Sequence, residues 1–201
     1  MAKIAVDIVL LPSEEVSNRA IEANNGLLKQ YADRIILDKE NCLPHISLAM
    51  GCIVQRDISN IEKIIKTIAG KYNPGQLNII GINTGTNSLG EKVSAFEVQK
   101  TARLLSLHRE VMRRMTPYFS YAVTAEMLLW PPKACESTLL WIRNFPEKSA
   151  FENYFPHITI GYGQIDDFSF TAEFTASKLA LCHLGNHCTC RKVLAAVELE
   201  C

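Results

Sequence analysis

The chain has no surplus of charge: 21 Lys and Arg stand against 21 Asp and Glu in 201 residues. A neutral chain exerts no global pull on polyphosphate, which excludes a histone-like or scaffold-like nucleic-acid binder and makes any phosphate recognition local. Long apolar runs are lacking too, none approaching the roughly 18–20 residues of a membrane span. The stretch Ile4–Leu11 is short and carries Asp7, and Pro12-Ser13-Glu14-Glu15 after it reads as a helix start rather than a signal cleavage site. The expectation is a cytoplasmic protein with no membrane association. Seven cysteines, an odd number, do not form a disulfide framework and are expected to be reduced thiols. Low-complexity segments and linkers are missing as well, and so is the strict βαβ alternation of a doubly wound sheet, which leaves α+β as the fold class.

What is present reads as intermixed strands and helices. Lys3–Leu11 is a mostly buried strand, and Ser13 is placed to cap a helix with Val16, Ala20, Leu27, Leu28 and Tyr31 inward, weakened in the middle by Asn24-Asn25-Gly26. A short strand is expected over Arg34–Leu37 and an extended segment over Leu43–Met50. Ser59 is expected to cap a second helix with Ile61, Ile64, Ile65 and Ile68 on one stripe. Gln76–Thr84 and Val93–Val98 read as a long-turned hairpin, and Thr101–Met115 as a helix stopped by Pro117. Ala134–Ile142 is expected to be helical, Phe155–Gly163 extended, and Phe168–Phe174 a strand. Leu179–Leu184 and His187–Leu199 make a hairpin around Gly185-Asn186.

One internal echo carries chemistry. Leu43-Pro44-His45-Ile46-Ser47-Leu48 returns as Phe155-Pro156-His157-Ile158-Thr159-Ile160, both reading apolar-Pro-His-Ile-hydroxyl-apolar. Side chains alternate faces along a strand, so His45 and Ser47 project together while Ile46 and Leu48 anchor the opposite side. The same holds for His157 and Thr159 against Ile158 and Ile160. Two such strands facing one cleft would bring together two imidazoles and two hydroxyls. That set suits metal-free phosphodiester cleavage: a neutral histidine takes a proton from the attacking oxygen, a protonated one gives a proton to the leaving oxygen, and the hydroxyls donate to the phosphoryl oxygens.

On these two motifs, half a chain apart, the sequence resembles the 2H phosphoesterase superfamily, which includes 2′-5′ RNA ligase-like proteins and cyclic nucleotide phosphodiesterases. The resemblance implies a bilobal α+β fold with pseudo-twofold symmetry, antiparallel sheets lining a central cleft and helices outside. It further implies one bilobal domain over 1–201, catalysis by His45 and His157, phosphate binding by Ser47 and Thr159, and no cofactor. The implied substrate is a nucleotide or RNA end with a 2′,3′-cyclic or 2′-5′ phosphodiester, handled by a monomer.

Other residues have plainer readings beside functional ones. Tyr162, three residues beyond Thr159, is placed to contact substrate; Tyr154, Phe155 and Trp130 are further stacking candidates. His108 lies on an apolar helix face and reads as a packed core histidine, while Lys100, Arg103, Arg109, Arg113 and Arg114 read as a solvated face. Cys182, His183, His187, Cys188 and Cys190 offer zinc-type ligands, but a two-residue turn at Gly185-Asn186 splits them over both faces of the hairpin. Two rival functions follow: a non-catalytic RNA- or nucleotide-binding module using the same cleft, and a zinc protein built on the C-terminal cluster.

Overall fold

The computed structural model describes residues 2–31, 35–87, 89–130, 133–165 and 169–199. Eight strands form one antiparallel sheet: β1 (Lys3–Pro12), β2 (Ile46–Val54), β3 (Leu77–Thr86), β4 (Lys92–Val98), β5 (His157–Tyr162), β6 (Ala172–Phe174), β7 (Ala176–Leu184) and β8 (Cys190–Glu198). Their order is β6-β3-β4-β5-β2-β1-β7-β8. Four strands on each side of the β5–β2 junction make the two expected halves, and they join into one continuous sheet rather than two.

The helices are α1 (Glu14–Leu28), α2 (Ile58–Ala69), α3 (Ala102–Met115) and α4 (Glu136–Lys148). α1 packs on β5, α2 on β7 and β8, and α3 on β2. Ile61, Ile65 and Ile68 of α2 and Leu104, Leu107, Val111 and Met115 of α3 meet Ile8, Leu10, Ile46, Leu48, Ile158 and Ile160 in one large core. The Ile residue of each echoed motif is therefore buried under helices, which leaves the His and hydroxyl positions on the other face. α4 packs on β2 and on the 3₁₀ turn Asn186–Cys188 between β7 and β8.

Several expectations change in detail. α1 runs straight through Asn24-Asn25-Gly26 because Asn24 is buried and fully used: its amide donates to the Ile35 and Ile160 carbonyls (2.9 and 2.8 Å), and its Oδ1 accepts from the Leu37 N–H (2.9 Å). That anchoring also holds 35–38 as irregular chain, not as the strand expected over Arg34–Leu37; Arg34 lies outside the described residues. The N-cap of α2 is Asp57, after a 3₁₀ turn over Gln55–Asp57, so Ser59 sits inside the first turn rather than capping it. Thr101 does cap α3, accepting from the Leu104 N–H (3.2 Å). α4 continues six residues past Ile142, to Lys148, with Pro146 inside it. Of the strand expected over Phe168–Phe174 only Ala172–Phe174 is paired, and Phe168 lies outside the described residues.

The cysteine expectation needs correction. Cys182 and Cys190 form a disulfide, with Cα atoms 5.6 Å apart, whereas Cys42, Cys52, Cys135 and Cys188 are free. The hairpin connection spans residues 185–189 instead of two residues, and its ladder slips twice. The longer loop and the slips place both sulfurs in one small buried cluster with Val9 and Ala180, where an ideal two-residue turn would have separated them.

Candidate active site

The two motif strands are neighbours. β2 and β5 pair antiparallel through Ile46 opposite Ile158, the corresponding residue of each copy. A local twofold axis through that pair relates the motifs, and one step along the register on each side sets His45 beside Thr159 and Ser47 beside His157. His45, Ser47, His157 and Thr159 are half-buried and line one cavity of about 340 Å³.

Both imidazoles are held in the same way. His45 Nδ1–H donates to the Leu43 carbonyl and His157 Nδ1–H to the Phe155 carbonyl, each at 2.8 Å and each two residues back. Pro44 and Pro156 stand between donor and acceptor in the two copies, fixing the bend that brings the carbonyl under the ring. With Nδ1 committed at both positions, Nε2 is the ring nitrogen without that backbone partner. Burial pushes the His45 pKa down to about 4, with the neighbouring His157 lowering it further, and burial lowers the His157 pKa as well. Burial thus favours two neutral imidazoles at neutral pH.

The echo continues beyond the motifs. In β2 the ladder with β1 passes from Val9–Ser47 to Ile8–Ala49, leaving Leu48 as an extra residue. In β5 the ladder with β4 passes from Ala95–Thr159 to Ser94–Gly161, leaving Ile160 as the extra residue. A bulge shifts the alternation by one, so the residue three beyond each hydroxyl returns to the motif face. Met50 and Tyr162 accordingly both line the cavity. Each is followed by a glycine under an aromatic ring, Gly51 beneath Phe119 and Gly163 (φ +115°) beneath Tyr31. Writing the two copies out to Gly51 and Gly163 would have revealed this extension in the sequence.

Tyr162 stands at the cavity wall with its hydroxyl 2.9 Å from His187 Nδ1. His187 and Cys188 both adopt left-handed backbone (φ 60° and 54°) and also line the cavity. Their loop is pinned from outside: Thr138 Oγ1 of α4 accepts the His187 N–H (2.7 Å), and Asn186 Nδ2 donates to the Lys133 carbonyl (2.7 Å). The zinc-type cluster is thereby dispersed. His187 turns to Tyr162, His183 Nε2–H donates to the Met127 carbonyl (3.0 Å), and Cys182 and Cys190 bond to each other. Among the described residues no three His, Cys, Asp or Glu side chains come together in a metal-binding group.

Tyr154 and Phe155 line the cavity, with Phe155 stacked on His157 at a ring separation of 5.6 Å. Trp130 does not reach it, whereas Trp141 of α4, which no motif marks in the sequence, does. No carboxylate is among the described lining residues, and Lys148 is the one with a formal charge. The basic residues of α3 stay outside it: Arg109 pairs with Glu152 (2.7 Å) and Arg113 with Glu110 (2.7 Å) at the surface. His108 is a core residue as expected. Its Nδ1–H donates to the Leu48 carbonyl (2.7 Å), its Nε2 accepts from the Phe151 N–H (2.8 Å), and its ring stacks on Tyr154 at 3.9 Å. It thus joins the strand of the first motif to the segment that leads into the second.

No family model matches the sequence, and no curated protein matches it either. Solved structures do match the fold. TT0787 of Thermus thermophilus aligns with a TM-score of 0.58 at 14% identity over 98% of both chains. Escherichia coli LigT complexed with phosphate aligns with 0.52 at 10% identity over the whole of both chains. A protein described as a phosphoesterase gives 0.51 at 10% identity, covering 98% of this chain and 99% of its own. The α+β architecture expected from the intermixed strands and helices is the one observed, and these proteins share it. No helix among the described residues is long and apolar enough to cross a membrane.

Proposed function

We propose that the chain is a metal-independent phosphoesterase of the 2H type, cleaving a 2′,3′-cyclic phosphate or a 2′-5′ phosphodiester in a nucleotide or RNA end. The observation that carries this reading is the Ile46–Ile158 pairing, which sets two identically held imidazoles and two hydroxyls around one cavity. In the reaction, Nε2 of one histidine accepts the proton of the attacking hydroxyl or water, and Nε2–H of the other protonates the leaving oxygen. Ser47 and Thr159 donate to the non-bridging oxygens as charge grows on them, and Tyr162 contacts the substrate from the cavity wall. The fold shared with a LigT crystallised with phosphate and with a described phosphoesterase supports the same class.

The test is a turnover panel of 2′,3′-cyclic mononucleotides, a 2′-5′-linked dinucleotide and ADP-ribose 1″,2″-cyclic phosphate. His45→Ala and His157→Ala are each expected to lower turnover by at least ~10²-fold, and EDTA to leave it unchanged. Wild-type rates in either variant would refute the two-histidine mechanism. Complete loss in EDTA would favour metal chemistry, and binding without turnover on every substrate would favour a non-catalytic nucleotide-binding module.

A further inference from the structure

Behind the site lies an acid that the mechanism above does not use. Asp7 is fully buried and is the only carboxylate among the buried described residues. Its backbone lies opposite Met50 on β2 and Cys182 on β7, and, two residues from Val9, its side chain shares a face with Ser47 across the bulge. Neither carboxyl oxygen makes a hydrogen bond of full geometry, and the Tyr154 hydroxyl nearby is also buried without a partner. The polar groups of β2 close enough to act on the carboxyl are the Ser47 hydroxyl and the Ala49 amide. Cys182 opposite is held in its disulfide, and Tyr154 and Cys188 lie near enough for the charge of Asp7 to act on them. No cation among the described residues acts on it.

We propose that Asp7 is a positioning residue for Ser47: as a neutral carboxylic acid it donates its O–H to the Ser47 oxygen, leaving the Ser47 proton to point into the cavity at a phosphoryl oxygen. The inference rests on the reading of the cavity as a phosphodiester site. A Tyr154 O–H turned to the carbonyl oxygen of the acid would give these two buried groups the partners they lack and align their dipoles toward the substrate. An ionised Asp7 would reverse the arrangement, since a carboxylate can only accept. It would draw the Ser47 proton away from the phosphate and place a negative charge beneath an anion. Burial without a cation holds the acid neutral, raising its pKa to about 8, and the same burial raises those of Tyr154 and Cys188, which keep their protons over that range.

The experiment compares wild type with Asp7→Asn, whose amide N–H₂ donates at every pH, and Asp7→Leu, which cannot donate. Asp7→Asn is expected to keep kcat within about threefold of wild type at pH 7, while Asp7→Leu falls about tenfold, the loss of one polarising hydrogen bond. On the alkaline limb, log kcat/KM of wild type steepens by one proton near pH 8. The limb of Asp7→Asn does not. A second readout needs no turnover: the infrared carbonyl band of a protonated carboxylic acid at pH 7, lost by pH 10 and missing in Asp7→Asn. Wild-type kcat in Asp7→Leu, or an unchanged alkaline limb in Asp7→Asn, overturns the proposal; so does a spectrum without the protonated band. If no phosphodiester is turned over, the functional reading fails, and the affinity for inorganic phosphate in the three proteins then decides the role of Asp7: equal affinity overturns it.

Discussion

Replacing His108 by leucine should cost stability in an amount that depends on pH. The side chain satisfies two buried backbone groups, the Leu48 carbonyl and the Phe151 N–H, and stacks on Tyr154. Leaving each backbone group unsatisfied costs roughly 1–3 kcal/mol, and the stack about 0.5–1.5 kcal/mol. Leucine restores part of the apolar contact, so the expected loss at pH 7 is about 3–5 kcal/mol. The pH dependence follows from the histidine itself. Burial holds its pKa at about 4 against 6.5 for the free side chain, so below pH 6.5 the unfolded chain binds a proton that the folded one refuses. Wild type therefore loses roughly 3 kcal/mol from this group between pH 6.5 and pH 4, at 1.36 kcal/mol per pH unit, and the leucine variant does not. The gap between the two proteins should narrow from about 4 kcal/mol at pH 7 to about 1 kcal/mol at pH 4. Urea denaturation at both pH values measures it, and contributions from His45 and His157 cancel in the difference. A gap below 1 kcal/mol at pH 7, or one that stays constant with pH, would refute the assignment of His108 as a neutral bridge.

The histidine pair makes a prediction for the pH–rate profile. Both pKa values are lowered in the free site, so kcat/KM should peak below pH 6.5, while kcat, which reports the anion-bound site, peaks at higher pH. Coincident optima above pH 7 would contradict the burial of the pair. Asp7→Asn should remove a stability loss that wild type suffers as pH rises, because a buried acid with a raised pKa keeps a proton that the unfolded chain releases. The difference accumulates from about pH 4 to about pH 8, and a pH-independent difference in chemical denaturation would sink the idea. Gly163→Ala should destabilise by about 2–4 kcal/mol, because φ is +115° and the new Cβ would enter the Tyr31 ring. Thermal denaturation reads the loss, and an unshifted midpoint would show that the bulged end of β5 is not held as described.

The candidate site was legible because its determinants are local. A Pro-His-Ile-hydroxyl run states by itself that the His and hydroxyl share a face and that the Ile anchors it, and two copies state the symmetry. What escaped the reading depends on pairing. The bulges at Leu48 and Ile160 exist only relative to β1 and β4, so the arrival of Met50 and Tyr162 on the same face could not be read from alternation within one strand. Asn24 looked like a helix breaker because its three acceptor and donor partners lie 11 to 136 residues away. Gly185-Asn186 by itself signals a two-residue turn, and the actual five-residue connection with its two ladder slips changes the face of every residue beyond it, Cys190 included. Sequence proximity groups His187 with the neighbouring cysteines, whereas its hydrogen-bond partner Tyr162 is 25 residues away.

The way the two halves of the sheet are joined has a mechanical consequence. Long ladders run β2 to β1 and β4 to β5, but between β2 and β5 the described ladder holds a single residue pair, Ile46 with Ile158. The sheet is thus stiff within each half and thinly stitched along the line that separates the two imidazoles. A small rotation about that stitch widens or narrows the gap between the two Nε2 atoms while each ring keeps its own carbonyl two residues back. Any change in how the two halves meet therefore falls on the spacing between the rings and leaves untouched the carbonyl that holds each one.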